Sequence, residues 1–136
     1  MFTRLAHVCL NVRSLRRSLD FYTRLGLEPV FRFTRQGQPF GVYLTLAPNQ
    51  FIEIFEQPGM EAPVNTGLVH FCLETDDLDA LMADLRAKDI PFTDKKLGCD
   101  HTWQIWLKDP DGNAFEVHAY TEKSLQFAGG TVEADW

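Results

Sequence analysis

The sequence predicts an α+β fold built from one βαβββ module written twice. Three observations carry this. The stretch "TRLAHVCL" from Thr3 and the stretch "TGLVHFCL" from Thr66 agree at five of eight positions, 63 residues apart in a chain of 136. The same offset sets Leu15 against Leu78, Val42-Tyr43-Leu44 against Ile105-Trp106-Leu107, and Glu53 against Glu116. Two long units of this kind indicate a duplicated module, since a solenoid needs three or more short ones.

Each element can be justified in order. "LAHVCLNV" alternates and is β-rich, which predicts a strand over 4–12. Ser14 follows as an N-cap, its hydroxyl suited to a free helix N–H. Leu15, Leu19 and Tyr22 fall on one helical face, and Gly26 supplies the stop. Strand-like runs follow at about 29–35, 40–47 and 51–57. The second copy reads as a strand over 67–75, an Asp cap, and a helix with Leu78, Leu81, Met82 and Leu85 on one face, ended by Pro91. Strands at about 91–95, 102–108 and 114–120 complete it, with "DPDGN" at 109–113 as a tight turn. The modules thus span about 3–58 and 66–121 of a single domain over 1–121. The tail 122–136 reads as a loose or partner-dependent extension.

Composition narrows the function. A net charge of −6 favours neither nucleic acid nor an anionic membrane. Arg16 and Arg17 read as a solvated helix face. Cys9, Cys72 and Cys99 are odd in number and lack CxxC spacing, which argues against a disulfide framework or zinc ribbon and for reduced thiols in the cytoplasm. "MFTRLAHV" has no signal-peptide core, and no apolar run approaches a membrane span.

Alternation splits each strand into two faces. Val8, Leu10 and Val12 form an apolar face to carry a helix, while His7, Cys9 and Asn11 lie on the other. The same split puts Glu53, His70 and Glu116 on mixed faces at equivalent places in the two modules. A single strand histidine is ordinarily a satisfied or exposed residue, and a single glutamate such as Glu56 a solvated one. Two His and two Glu related by one offset are different. Brought together by a pseudo-twofold, two carboxylates would repel and lose hydration, and a divalent cation removes that cost. The N₂O₂ set suits Zn²⁺, Ni²⁺, Co²⁺, Fe²⁺ or Mn²⁺, with open positions for water or substrate. Cys9 and Cys72 read as small packing residues beside these ligands. His118 shares the face of Glu116 as a neighbour, a proton shuttle or cavity lining. His101 reads as a rim residue, and Phe51, Phe55, Trp103 and Trp106 as core or cavity wall.

"HVCLNVRSLRRSLDFYTRLGLEPVF" and "LKDPDGNAFEVH" resemble the opening and closing motifs of the vicinal oxygen chelate superfamily, which includes glyoxalase I, extradiol dioxygenases and the bleomycin- and fosfomycin-resistance proteins. The resemblance covers about 3–121 and implies a half-open, cup-like mixed sheet of paired βαβββ modules. It places the metal ligands at His7, Glu53, His70 and Glu116. It implies a glyoxalase I-like lyase or isomerase moving a proton on a small oxygen-bearing substrate, with Glu116 as base and Glu53 as its pseudosymmetric counterpart. It also implies a C₂ homodimer, with ligands drawn from both chains or, as the alternative, from one. Bacterial glyoxalase I enzymes carry an arginine and an asparagine where this chain has Asn11 and Gln57, which argues against glutathione. The arginine-bearing motif of fosfomycin-resistance enzymes is missing from "VHAYTEKSLQ". An extradiol-type dioxygenase, an epimerase and a metal-free antibiotic-sequestering protein are the alternatives.

Overall fold

A computed structural model describes residues 5–61 and 69–131. The first strand residue expected at 4, the beginning of the strand expected at 67, and the terminal Trp136 lie outside the described residues. The described residues form two compact units, one from residues 5–61 with Asp109–Gly112, the other from 69–108 and 113–131.

The first unit runs β1 (His7–Val12), α1 (Leu15–Arg24), β2 (Glu28–Arg35), β3 (Gln38–Ala47) and β4 (Gln50–Glu56). Its sheet has the order β1-β4-β3-β2, with β1 parallel to β4 and the other pairs antiparallel. The Ser14 hydroxyl accepts from Arg17 N as the N-cap of α1. Gly26, at φ +98°, follows the last turn, where its N–H reaches Thr23 O and the next N–H reaches Tyr22 O. The alternation of β1 is realised: Leu10 and Val12 are buried, whereas His7, Cys9 and Asn11 are exposed. Leu10, Val12, Val42, Leu44, Ile52 and Ile54 form a buried apolar face, and Leu15, Phe21 and Tyr22 of α1 are buried with them.

The second unit repeats the order with β5 (Phe71–Glu74), α2 (Leu78–Ala87), β6 (Lys96–Leu97), β7 (Trp103–Lys108) and β8 (Ala114–Ala119), in the order β5-β8-β7-β6. Asp77 caps α2 through Ala80 N. Leu78, Met82, Leu85, Ile105, Leu107, Phe115 and Val117 are its buried core. Both units pair their strands alike: Cys9 faces Glu53 as Cys72 faces Glu116, and Tyr43 faces Glu53 as Trp106 faces Glu116. The duplication therefore extends to hydrogen-bond register.

Four expectations need correction. The strand expected at 91–95 is irregular, and only Lys96–Leu97 pairs with β7. Pro91 has no N–H to give a ladder, and Thr93 touches β7 at the single residue Trp106, its N–H on Trp106 O and its Oγ1, in place of a backbone carbonyl, accepting from Trp106 N. Arg17 is not merely a solvated residue. It reaches Pro110 O at 3.0 Å and Asp111 Oδ1 at 3.1 Å, beside Arg13 Nε at 2.7 Å and Ser18 Oγ at 3.4 Å on the same buried carboxylate. Glu56 accepts from Leu15 N at 2.9 Å, closing an otherwise open donor of the first helical turn. The chain after Thr121 is not loose as far as it is described. Buried Ser124 bonds Thr102 Oγ1 and His101 O, Thr121 Oγ1 bonds His101 O, and a short α3 (Leu125–Ala128) follows.

These contacts explain the two signature motifs. Tyr22 of "DFY" donates to Asp109 of "DPDG" at 3.2 Å, and Asp111 receives the donors from α1. Burial, with Asp109 beside it, pushes the Tyr22 hydroxyl upward and keeps it a donor. The motifs are structural: they fasten the Asp109–Gly112 turn to the first unit.

Candidate metal centre

In the first unit, β1 carries His7 and β4 carries Glu53 on the face opposite the buried core. His7 Nε2 lies 3.8 Å from Glu53 Oε2, and the Tyr43 hydroxyl sits 3.0 Å from His7 Nδ1. A partner on one ring nitrogen fixes the imidazole and aims the other, as ligating histidines require. Around this pair the face is aromatic. Phe31 stacks on Tyr43 with centroids 4.8 Å apart, and Phe40 stacks on Phe55 at 5.5 Å. Gly41 makes room for this wall, because a Cβ there would stand 2.5 Å from Phe55 Cδ1 and 2.9 Å from Ile54 O.

In the second unit, His70 Nε2 lies 3.2 Å from Glu116 Oε2. His118 Nε2 lies 3.2 Å from the same oxygen. The Glu116 side chain is 12% exposed and that of His118 12%, against 42% for His7. His70 Nδ1 and His118 Nε2 are buried and have no hydrogen-bond partner. Trp106 stands where the first unit has Tyr43, edge-on to His70 at 4.7 Å, and offers Nδ1 no oxygen. Two donors each about 2.0–2.1 Å from a tetrahedral ion stand about 3.3 Å apart. The 3.2 Å separations fit that spacing, and of the two nitrogens beside Glu116 Oε2 the buried His118 Nε2 has no hydrogen-bond partner to compete with a cation.

The cysteines differ from expectation. Cys9 and Cys72 are exposed and do not pack in the core. Partial desolvation and the adjacent Glu53 push the Cys9 thiol up to about 11. Desolvation and Glu116 push the Cys72 thiol up to about 12. Both are therefore neutral thiols while no cation is near. The sulfur of Cys72, a Glu116 oxygen and a His118 nitrogen lie within 4.8 Å of one another, a grouping that offset counting alone does not reveal. The signal was the i, i+2 spacing of Glu116 and His118 on one strand face.

Asn11 and Gln57 are hydrogen bonded to each other, Gln57 Nε2 to Asn11 Oδ1 at 3.2 Å. His101 is exposed, at φ 62°, on the rim of a shallow cavity of about 430 Å³ bounded by Leu97, Trp103 and Lys123. No described helix is long and apolar enough to cross a membrane.

Residues 4–117 match the family described as Glyoxalase/Bleomycin resistance protein/Dioxygenase superfamily. A curated relative, the trivalent organoarsenical cleaving enzyme of Bacillus sp. (strain MD1), is 26% identical over 136 residues, covering 89% of this chain and 75% of its own. Among solved structures, a glyoxalase family protein from Enterococcus faecalis superposes with a TM-score of 0.76 at 24% identity, over 86% of this chain and 98% of that one. Lactoylglutathione lyase from Agrobacterium tumefaciens gives 0.66 at 24%, over 89% and 95%. The two four-stranded mixed sheets are the fold of these neighbours, and the chain belongs to the glyoxalase/bleomycin resistance/dioxygenase superfamily.

Proposed function

We propose that this protein is a metal-dependent enzyme of the glyoxalase type, a lyase or isomerase that moves a proton on a small oxygen-bearing substrate without using glutathione. The observation that carries this reading is the repeated His–Glu pair. Each unit sets one imidazole Nε2 near one carboxylate oxygen, at 3.8 Å between β1 and β4 in the first and at 3.2 Å between His70, just before β5, and β8 in the second. His7 and Glu53 form one half of the centre, and His70 and Glu116 the other. These four residues would hold a divalent ion of the Zn²⁺, Ni²⁺, Co²⁺, Mn²⁺ or Fe²⁺ group, which would supply Lewis-acid polarisation of the vicinal oxygens of the substrate.

The residues do the rest. Glu116 takes the proton from the hydroxyl-bearing carbon, the hydroxyl proton passes to the former carbonyl oxygen at the enediol stage, and Glu116 returns its proton to the former carbonyl carbon. Its carboxylate is largely buried, so few water molecules reach it to compete for the proton. Glu53 is its pseudosymmetric counterpart, and Tyr43 keeps the His7 ring in place. The aromatic face around His7 favours a substrate with a flat, apolar part. The Asn11–Gln57 pair presents neutral amides where recognition of a tripeptide carboxylate would need a cation. A C₂ homodimer, with the centre completed across chains, fits this reading and is checked by light scattering and by mixing His7→Ala with Glu116→Ala chains. Recovered metal binding in the mixture supports the crossed arrangement; no recovery refutes it.

The test is solvent-deuterium incorporation into aromatic and aliphatic α-hydroxyketones by the metal-loaded protein. Incorporation that stops in Glu116→Gln supports the reading. Turnover of the methylglyoxal–glutathione adduct with kcat on the order of 10 per second or more would refute the exclusion of glutathione. Ring cleavage of catechols with Fe²⁺ and oxygen would reassign the protein to the dioxygenases.

A further inference from the structure

We infer that the second unit by itself seats a thiophilic divalent ion on Cys72 Sγ, a Glu116 carboxylate oxygen and His118 Nε2. These three donors come from two neighbouring parallel strands, Cys72 from β5 and the other two from β8, in a register that sets Cys72 beside Glu116. The Cys72 sulfur, one Glu116 carboxylate oxygen and one His118 ring nitrogen lie within 4.8 Å of one another. His118 Nε2 is buried, has no hydrogen-bond partner, and stands 3.2 Å from Glu116 Oε2. A tetrahedral ion takes three such protein donors and keeps one position open. The sulfur selects the ion, since thiolate with imidazole suits Zn²⁺, Co²⁺ or Cd²⁺ better than Mn²⁺ or Mg²⁺.

The thiol now donates to Leu73 O at 3.4 Å. On binding, that S–H bond breaks, the proton passes to solvent, and the sulfur lone pair forms the bond to the ion, with no change of oxidation state. His118 has no counterpart in the first unit, where the equivalent residue is Phe55 and the face is aromatic. The first unit therefore lacks this seat although it keeps Cys9 beside Glu53. The inference rests on Glu116 being a ligand, as in the function proposed above, but adds two ligands and makes the second unit sufficient.

The experiment uses the full chain with His7→Ala and Glu53→Ala together, titrated with Co²⁺ alone and followed by near-ultraviolet absorption. One Co²⁺ should bind per chain with a thiolate-to-metal charge-transfer band. Cys72→Ser in that background should abolish the band, and His118→Gln should weaken binding at least roughly tenfold. No Co²⁺ bound, Co²⁺ bound without the band, or unchanged affinity in His118→Gln would each overturn the inference. Should His118→Gln fail to fold, the ring ¹⁵N resonance of His118 in the unsubstituted chain, titrated with Zn²⁺, decides: a shift of Nε2 supports it and an unmoved resonance refutes it. The four-residue centre fails by a different sign, when the His7/Glu53 variant binds metal as tightly as the unsubstituted chain.

Discussion

The two units share strand order, register and one His–Glu pair each, yet they surround that pair differently. Where the first unit has Tyr43 and Phe55, the second has Trp106 and His118. Tyr43 gives His7 a hydrogen-bond partner; Trp106 gives His70 an edge contact and leaves Nδ1 orphaned. Phe55 extends an aromatic wall; His118 adds a nitrogen beside the carboxylate. The half-buried pair in the first unit stands 3.8 Å apart, and the more deeply buried one in the second 3.2 Å. Duplication has kept one His–Glu pair in each unit while the residues around it diverged. The first unit surrounds its pair with an aromatic face, and the second surrounds its pair with further nitrogen and sulfur donors.

Breaking the first unit's architecture should have the largest effect. Asp111→Ala leaves the charges of Arg13 and Arg17 without their shared buried carboxylate. The loss should be about 3 kcal/mol, seen as a lower midpoint in chemical denaturation. Because these arginines are themselves about half exposed, an effect under 1 kcal/mol would show that solvent compensates and that the turn is held by Tyr22–Asp109 instead.

Gly41→Ala comes next. The added methyl meets the Phe55 ring and the Ile54 carbonyl, the latter being backbone that cannot swing aside. Overpacking of this kind costs about 1–3 kcal/mol. It should also disturb the Phe40–Phe55 stack, read as altered near-ultraviolet circular dichroism, while Co²⁺ binding by the second unit stays unchanged.

Ligand deletion sharpens the comparison itself. His70→Ala should weaken Zn²⁺ affinity roughly tenfold more than His7→Ala, about 1.4 kcal/mol, because its carboxylate partner is closer and less exposed to water. Equal losses from the two would make the units functionally symmetric. The smallest effect is expected for Tyr43→Phe, which frees His7 Nδ1 but keeps the ring packing. Metal affinity should fall by no more than roughly tenfold, with stability altered by about 1 kcal/mol or less.

The repeat made much of this legible. A period-two alternation against a period-3.6 face located most of the strands and both long helices, because burial on one face is what each pattern records. The helix caps at Ser14 and Asp77 could be read from local chemistry alone. The strand after Pro91 could not, because its pairing depends on the local bonds of Thr93 with β7 rather than on its own pattern. Arg17 and Glu56 looked solvated because their partners, Asp111 and Leu15 N, are far away in sequence or belong to the backbone. The tail after Thr121 looked loose for the same reason, its anchor being the buried Thr102. At the site, the face of each ligand residue was readable from alternation. The proximity of Cys72 to Glu116 and His118 was not, since an isolated small residue on a strand carries no sign of which side chains its sulfur will meet.

The most direct test is equilibrium titration of metal-stripped protein with Zn²⁺ and Ni²⁺, comparing the unsubstituted chain with His7→Ala, Glu53→Gln, His70→Ala and Glu116→Gln. A metal centre at these residues predicts binding by the unsubstituted chain, weakened in all four variants and most in the two from the second unit. No binding of either ion, or four variants that bind as the unsubstituted chain does, would contradict it.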